Sequence, residues 1–534
     1  MKPKPALPIL ALTLIGPATL HAQSTWIGAD GANWSVPANW SGGAPVDNGT
    51  SALVFDSPSN RVSVNGLVNL TASSLTINST SRDNTLNGNR INLGGTFTVA
   101  TGNWQFVNLA IQLTGDRTFA INSGRTYLAG ELSGASGKIT KTGGGDLYIS
   151  GTNSIGSAER LLINSASTVH LESAAALGAA GGSIRFGNNV AAALVIRSDS
   201  AINSYNLAGG SSGTGGTVTL HRATSGAGYS QGFAIVDLGS RSMTFNTGSN
   251  VSSGSMTADI GELRLTAGNN DRPVVLGGTA TLAVGSASIT STGIAKRLQL
   301  DGTSNANTIG VISNGIAGAS INLIKANSGT WTLTAANTFS GSTEVNDGTL
   351  RVNGSLLNTS SVTVGTAGTL GGTGSINSSV VVGGTLAPGV GIESLATGAL
   401  SFLTGGKFAY ELRTATLDGD LVDVAGNLGI ASGVTLDLVD LSPSTALGLG
   451  TKLSLISYSG VWNGGTFSGL ADEASVLLGA NLWRINYNDS SGGANLLGGG
   501  AHSNFVTLTV IPEPTSAAMC GLLLTGLAGR RRRH

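Results

Sequence analysis

A single cysteine, Cys520, stands in a chain of 534 residues. No disulfide can close within the chain, so rigidity has to come from hydrogen bonds and packed aliphatic side chains. Charge is scarce as well, at 10% of residues, where soluble proteins carry about 25%. The 28 basic and 28 acidic residues cancel. Such a chain has no basic field for an anionic surface, and no nucleic-acid partner is expected. Histidine is rare too. Away from the two termini only His170, His221 and His502 remain, too widely spaced for a zinc-ligand set, so neither a metal nor a cofactor is expected.

Aromatic residues make up 5% of the chain. Hydrophobic residues nevertheless reach 40%, which separates it from disordered sequences of low hydrophobicity and high charge. Glycine is what abounds: 81 residues, roughly twice its usual ~7% share. Little charge with much Gly, Ser, Thr and Asn describes a turn-dense all-β chain.

Residues 321–389 show how such a chain is organised. Short runs (Trp331–Leu333, Leu350–Val352, Val362–Val364, Val380–Val382) are separated by Gly, Asn, Ser and Thr. Alternation sends Leu350 and Val352 to one face and Arg351 to the other, the mark of a half-buried strand. The triplet Gly-Thr-Leu returns at Gly348, Gly368 and Gly384, a period of roughly 16 to 20 residues. A unit that short cannot enclose its own apolar face. It becomes stable only when coils stack, each strand pairing in parallel with its counterpart one turn along at ~4.8 Å. The pattern predicts a β-solenoid, with Gly371 and Gly372 at corners where φ > 0 is needed.

The stretch resembles the autotransporter-associated β-strand repeat of secreted bacterial passenger proteins. The resemblance is carried by Lys325, the run Gly329–Leu333, Asn337–Thr343, Val345, Gly348–Leu350, Gly371–Gly374 and Ala387–Gly389. Ala326-Asn327-Ser328 departs from the more usual Thr-Gly-Gly. A weaker copy lies upstream, where Lys141, Leu147, Ile149 and Asn153 repeat the spacing of Lys325, Trp331, Leu333 and Asn337.

The two ends carry different signals. Residues 1–22 read as a secretory signal: Lys2 and Lys4, an apolar core from Leu7 to Ile15, Pro17 as a break, and Ala22 before the cut. A secretion translocase is the implied partner. Trp26, Trp34 and Trp40 follow within fifteen residues. They are expected to cap the first open coil, since exposed strand edges invite aggregation; a sugar-stacking surface is the alternative. At the far end Pro512-Glu513-Pro514 precedes an apolar run from Ala517 to Ala528 and then Arg530, Arg531, Arg532 and Arg533. This resembles the PEP-CTERM sorting signal of Gram-negative bacteria. The resemblance implies a transient inner-membrane helix, stopped by the arginines, and cleavage near Pro512–Pro514 by an exosortase-type enzyme. The run is short against the ~20 residues a spanning helix needs.

Candidate chemistry between the ends is thin. Gly228–Gly232 fits the G-x-S-x-G elbow around Ser230, but the residues after Ser230 read as a strand and no α/β pattern surrounds them. Asp418, Asp420 and Asp423 are read as exposed-face carboxylates, since on one strand Asp423 would point away from the other two. Gly143–Asp146 is one unrepeated fragment of a calcium-binding pattern, and Gly371–Gly374 leads into a strand and not a phosphate-binding helix.

The chain is therefore expected to be all-β: an elongated parallel β-helix with a capped N-terminus, a β-rich C-terminal closing segment and terminal signal helices. The divisions are a signal peptide at 1–22, a cap at 23–60, degenerate coils at 61–320, the repeat at 321–389, a closing segment at 390–510 and the sorting signal at 511–534. The function expected is that of a non-enzymatic structural or adhesive protein, exported and displayed at the cell surface or in extracellular matrix, with extracellular polysaccharide as a partner. A β-helix polysaccharide lyase or hydrolase is the alternative, because fold alone does not exclude it. A self-translocating passenger, which needs a C-terminal membrane barrel of ~10-residue alternating strands, is disfavoured, since the apolar run and arginines leave such a barrel no room after the repeats.

Overall fold

The structure, a computed structural model, describes residues 23–56, 62–78, 83–100, 103–210, 215–239, 241–266, 273–291, 295–495 and 502–513. Strands take 54% of the chain and helix 1%. Among the described residues the helical element is one 3-10 turn, Pro37–Asn39. The chain divides into two compact units, Met1–Ser157 and Ala158–His534. Each is a parallel β-solenoid, as the repeat pattern predicts. The predicted terminal signal helices lie outside the described residues.

In the first unit a coil lays down three short strands. Asn84–Gly88, Trp104–Val107, Arg125–Leu128 and Asp146–Ile149 stack along one side. Ile91–Leu93, Ile111–Leu113, Leu132–Gly134 and Ser154–Ile155 form the second side. Phe97–Val99, Arg117–Ile121 and Ile139–Thr142 form the third. All of these pairings are parallel, and contacts between neighbouring coils recur at a separation of 21 residues. Alternation decides which side chains go in: Leu128, Leu147 and Ile149 are buried, and Phe97 meets Phe119 edge-on at 5.3 Å.

The second unit has longer, less even coils at first. Partners in adjacent coils lie 28 residues apart at His221 and Ser249 and 25 apart at Ile312 and Asn337. They close to 20 at Asn322 and Ser342. Here the Gly-Thr-Leu triplets come into register: Gly348 faces Gly368, Thr369 faces both Thr349 and Thr385, and Leu370 faces Leu350 and Leu386. Trp331 and Phe408 extend the leucines into one buried column. The repeat's glycine follows from crowding, because a Cβ on Gly368 would sit 2.1 Å from the Val345 carbonyl oxygen. Gly372 has φ +111° and turns a corner as expected. Gly371 corrects the expectation: it lies in the strand Val362–Gly372 without a positive φ, and a Cβ there would meet the Ala387 oxygen at 2.2 Å.

The end of this unit changes direction. Lys452–Tyr458 pairs in parallel with Leu421–Val424 on one side but antiparallel with Asn504–Ile511 on the other. Asn481–Asp489 and Ser475–Leu478 continue the antiparallel run. Tyr458, Trp483, Tyr487 and Leu508 are buried within it.

Because each stacked aliphatic contacts the coils before and after it, truncating one leaves a void that stiff neighbouring coils cannot fill. Leu350→Ala is expected to lower stability by about 2–5 kcal/mol. Chemical denaturation of the purified variant measures this, and a loss below about 1 kcal/mol would mean that the column relaxes freely.

Candidate functional site

The two repeat copies share one device. Lys141 and Lys325 are both fully buried, each at the end of a strand run that leads into a tight turn. The Lys141 ammonium donates to the carbonyls of Thr142 and Gly143, each at 2.8 Å. Lys325 donates to Ala326 at 2.7 Å, to Asn327, and across to Asp347 of the next coil at 3.0 Å. Gly143 and Asn327 occupy the same place in the turn, with φ +77° and +58°. Asparagine tolerates this left-handed conformation better than other side chains, which is why the departure from Thr-Gly-Gly leaves the turn intact.

The asparagine of each copy ties coils together. Asn153 Oδ1 accepts from the Leu132 amide at 2.6 Å, and Asn337 Oδ1 accepts from Ile312 at 2.8 Å. Asn337 Nδ2 donates to Ser355 at 3.1 Å, one coil further on. The apolar pairs between lysine and asparagine, Leu147 with Ile149 and Trp331 with Leu333, are buried in the core.

Residues 139–156 and 323–352 match the passenger-associated-transport-repeat family. The chain thus carries one transport repeat in each unit, at the two places the lysine–asparagine spacing marks. Whole-chain comparison with curated proteins finds no match.

Outside the transport repeats, the three N-terminal tryptophans face inward. Trp26, Trp34 and Trp40 are 2%, 0% and 4% exposed. Trp26 and Trp34 each meet Trp40 edge-on, at 5.0 and 5.8 Å, and all three surround Phe55 of the strand Ser51–Phe55. Trp40 Nε1 donates to the Trp34 carbonyl at 2.8 Å. As folded, these rings offer no face to a sugar; they fill the start of the first unit.

The aromatic side chains that do face outward lie elsewhere. Trp104 is 45% exposed, and Arg125 lies over its ring at 5.1 Å. Beside them Phe106 stacks on Tyr127 at 5.1 Å, and Tyr127 on Tyr148 at 4.3 Å. Phe106, Tyr127 and Tyr148 are paired partners on three successive coils. A period of 21 between aromatic residues was present in the sequence as a signal, but it identifies a ladder only once the register is known.

The acidic group corrects a sequence expectation. Asp418 sits in the short strand Asp418–Gly419 and pairs with Arg413 at 3.4 Å. The strand then breaks, and Asp420 turns inward to 1% exposure where a surface carboxylate was expected. It accepts from the amides of Glu393 at 3.0 Å and Glu411 at 2.9 Å. Burial, with Glu411 and Glu393 nearby, pushes its carboxyl up to about 7. Asp423 accepts from Ser457 Oγ and lies 3.1 Å from His502. The cleft beside Asp420 is lined by Glu393 and Asp418, but Glu393 is occupied in accepting from the Val390 amide at 3.0 Å. Among the described residues no group of three His, Cys, Asp or Glu is placed to hold a metal ion.

Ser230 opens the strand Ser230–Asp237, paired in parallel with Thr257–Leu265, so the strand-to-helix elbow is not formed. At the far end, Ile511 still pairs with Leu482, and Pro512 and Glu513 follow at once, both exposed. Ala22, Pro514 and the four arginines from Arg530 to Arg533 lie outside the described residues, as does the apolar run before them. Among the described residues no helix is long and apolar enough to cross a membrane.

Burial pushes Lys141 and Lys325 down from 10.5 to about 8, against the opposing pull of Asp146 on the first and of Asp347 and Asp301 on the second. The unfolded chain therefore holds more protons than the folded one between pH ~8 and ~10.5, and each lysine makes stability rise with pH across that window. Below it both states are protonated and the burial cost is constant. Lys325→Met removes this contribution and leaves three turn carbonyls without their donor. At pH 7 the variant is expected to lose about 1–3 kcal/mol, and its denaturation midpoint is expected to rise less between pH 8 and 10 than that of the wild type. Equal stability at pH 7 would show that the turn stands without its ammonium.

Proposed function

We propose that this chain is an exported, non-enzymatic β-helix protein with a structural or adhesive role at the cell surface or in the extracellular matrix. The observation that carries this reading is the pair of transport repeats, whose lysines, asparagines and apolar pairs all serve to stack coils. Their most unusual groups, the buried ammonium ions, are consumed in holding turns. The outward faces of the strands are left as display surface, and extracellular polysaccharide is the partner such a surface would meet.

Export begins with residues 1–22, read by a secretion translocase. The apolar run Ala517–Ala528 holds the chain transiently at the inner membrane, with Arg530–Arg533 on the cytoplasmic side. An exosortase-type enzyme then cleaves near Pro512–Pro514. The exposure of Pro512 and Glu513 directly after a strand supports cleavage there, since a processing enzyme could reach both residues.

Mass spectrometry of the C-terminus in the native host tests the sorting step. Mature wild-type protein is expected to lack the four arginines, and a chain with Pro512→Ala and Pro514→Ala to keep them and stay in the membrane fraction. A mature wild-type protein that retains its arginines would sink the sorting step.

A further inference from the structure

We propose that the outward face formed by Trp104, Arg125 and the Phe106–Tyr127 stack binds a neutral polysaccharide chain. The proposal deepens the reading above and rests on the extracellular placement, though not on C-terminal sorting. Core packing does not account for these rings. On the strand Trp104–Val107 the inward positions are Gln105 and Val107, and on Arg125–Leu128 they are Thr126 and Leu128. The aromatic side chains occupy the alternate, outward positions.

Two columns run side by side across the coils. In one, Phe106 and Tyr127 lie 14° from parallel, and Tyr127 and Tyr148 lie 21° apart, so these rings stack on one another. In the other, the Trp104 amide donates to Asp83 at 3.1 Å, Trp104 faces Arg125, and Arg125 faces Asp146. Trp104 stands 44° from Tyr127 at 5.9 Å. It stands beside the stack and, with Arg125 over part of its ring, leaves the rest of its indole open to solvent. The other exposed large hydrophobic residues among those described are all aliphatic.

The charges select the occupant. Sugars bind where the C–H face of a ring meets an aromatic face and the hydroxyls meet fixed donors and acceptors. Arg125 is fixed over the indole and donates; Asp83 and Asp146 flank it and accept. Asp83 and Asp146 are balanced by Arg125 and by the Lys141 ammonium that Asp146 attracts, so the column carries no net charge to hold a polyanionic chain and suits a hydroxyl-rich neutral one. The recurrence every 21 residues lays these groups in a line, the geometry an extended polymer needs.

Affinity electrophoresis of the purified full chain tests the proposal, in gels containing hydroxyethyl cellulose, galactomannan or xylan, with alginate as the polyanion. At least one neutral polymer is expected to retard the wild type, and W104A to bind it about tenfold more weakly or worse, the loss a central tryptophan contact carries. L357A, altering an exposed residue of the second unit, is expected to migrate like the wild type. The polymer should also change tryptophan fluorescence in the wild type and not in W104F, because Trp26, Trp34, Trp40, Trp331 and Trp483 are buried and half-buried Trp462 lies in the second unit, stacked on Tyr487. Circular dichroism confirms that W104A is folded. Any of three results overturns the proposal: no retardation by any neutral polymer, equal retardation of folded W104A, or stronger retardation by alginate. None of these depends on whether the C-terminus is cleaved, so failure here and failure of the sorting step are read separately.

Discussion

Every coil in each unit depends on another coil for its hydrogen bonds and for its dry side. Three or four residues of strand cannot shield a leucine, but a leucine between two others in neighbouring coils is shielded completely. Leu350, Leu370 and Leu386 show the arrangement in its simplest form, each 0% exposed and each supplied by the same triplet. Parallel pairing then follows, because only chain running in the same direction brings like residues together on every turn. A protein without disulfides can be held this way, since the cross-links are distributed over every coil.

Corners are where such a stack is most vulnerable. A turn in the left-handed region leaves carbonyl groups with no partner in the strand ladder, and an unpartnered carbonyl shut away from water is costly. The transport repeat answers with a lysine whose ammonium takes two such carbonyls at once, and at Lys325 a third from the next coil. A buried cation is itself expensive. Here its solvation shell is replaced by backbone oxygens, so a charge that looks misplaced in a core serves as the fastener of the bend.

Much of this was legible before the fold was known, for a physical reason. Residues that stack on their own copies must recur, so Gly348, Gly368 and Gly384 announce their register, and Lys141 with Asn153 announces the same coil as Lys325 with Asn337. Features that depend on one irregular event were not legible. Asp420 turns inward because the strand stops after Gly419, and strict alternation cannot foresee a stop. The reversal at Lys452–Tyr458 has no local signature, since parallel and antiparallel strands draw on the same residues. Trp26, Trp34 and Trp40 invited two readings because large rings serve buried plugs and open platforms equally well. Trp104 passed unnoticed because a lone tryptophan means little until the residue opposite is seen to be arginine.

The strand Lys452–Tyr458 speaks two dialects, parallel on one flank and antiparallel on the other. Both edges of Asn504–Ile511 are taken by antiparallel partners, Lys452–Tyr458 and Asn481–Asp489, so no further parallel winding can be laid against it. The second unit therefore has a built-in terminus. A winding inserted before Lys452 would lengthen the parallel stack, while the antiparallel strands after it would still act as a full stop to growth.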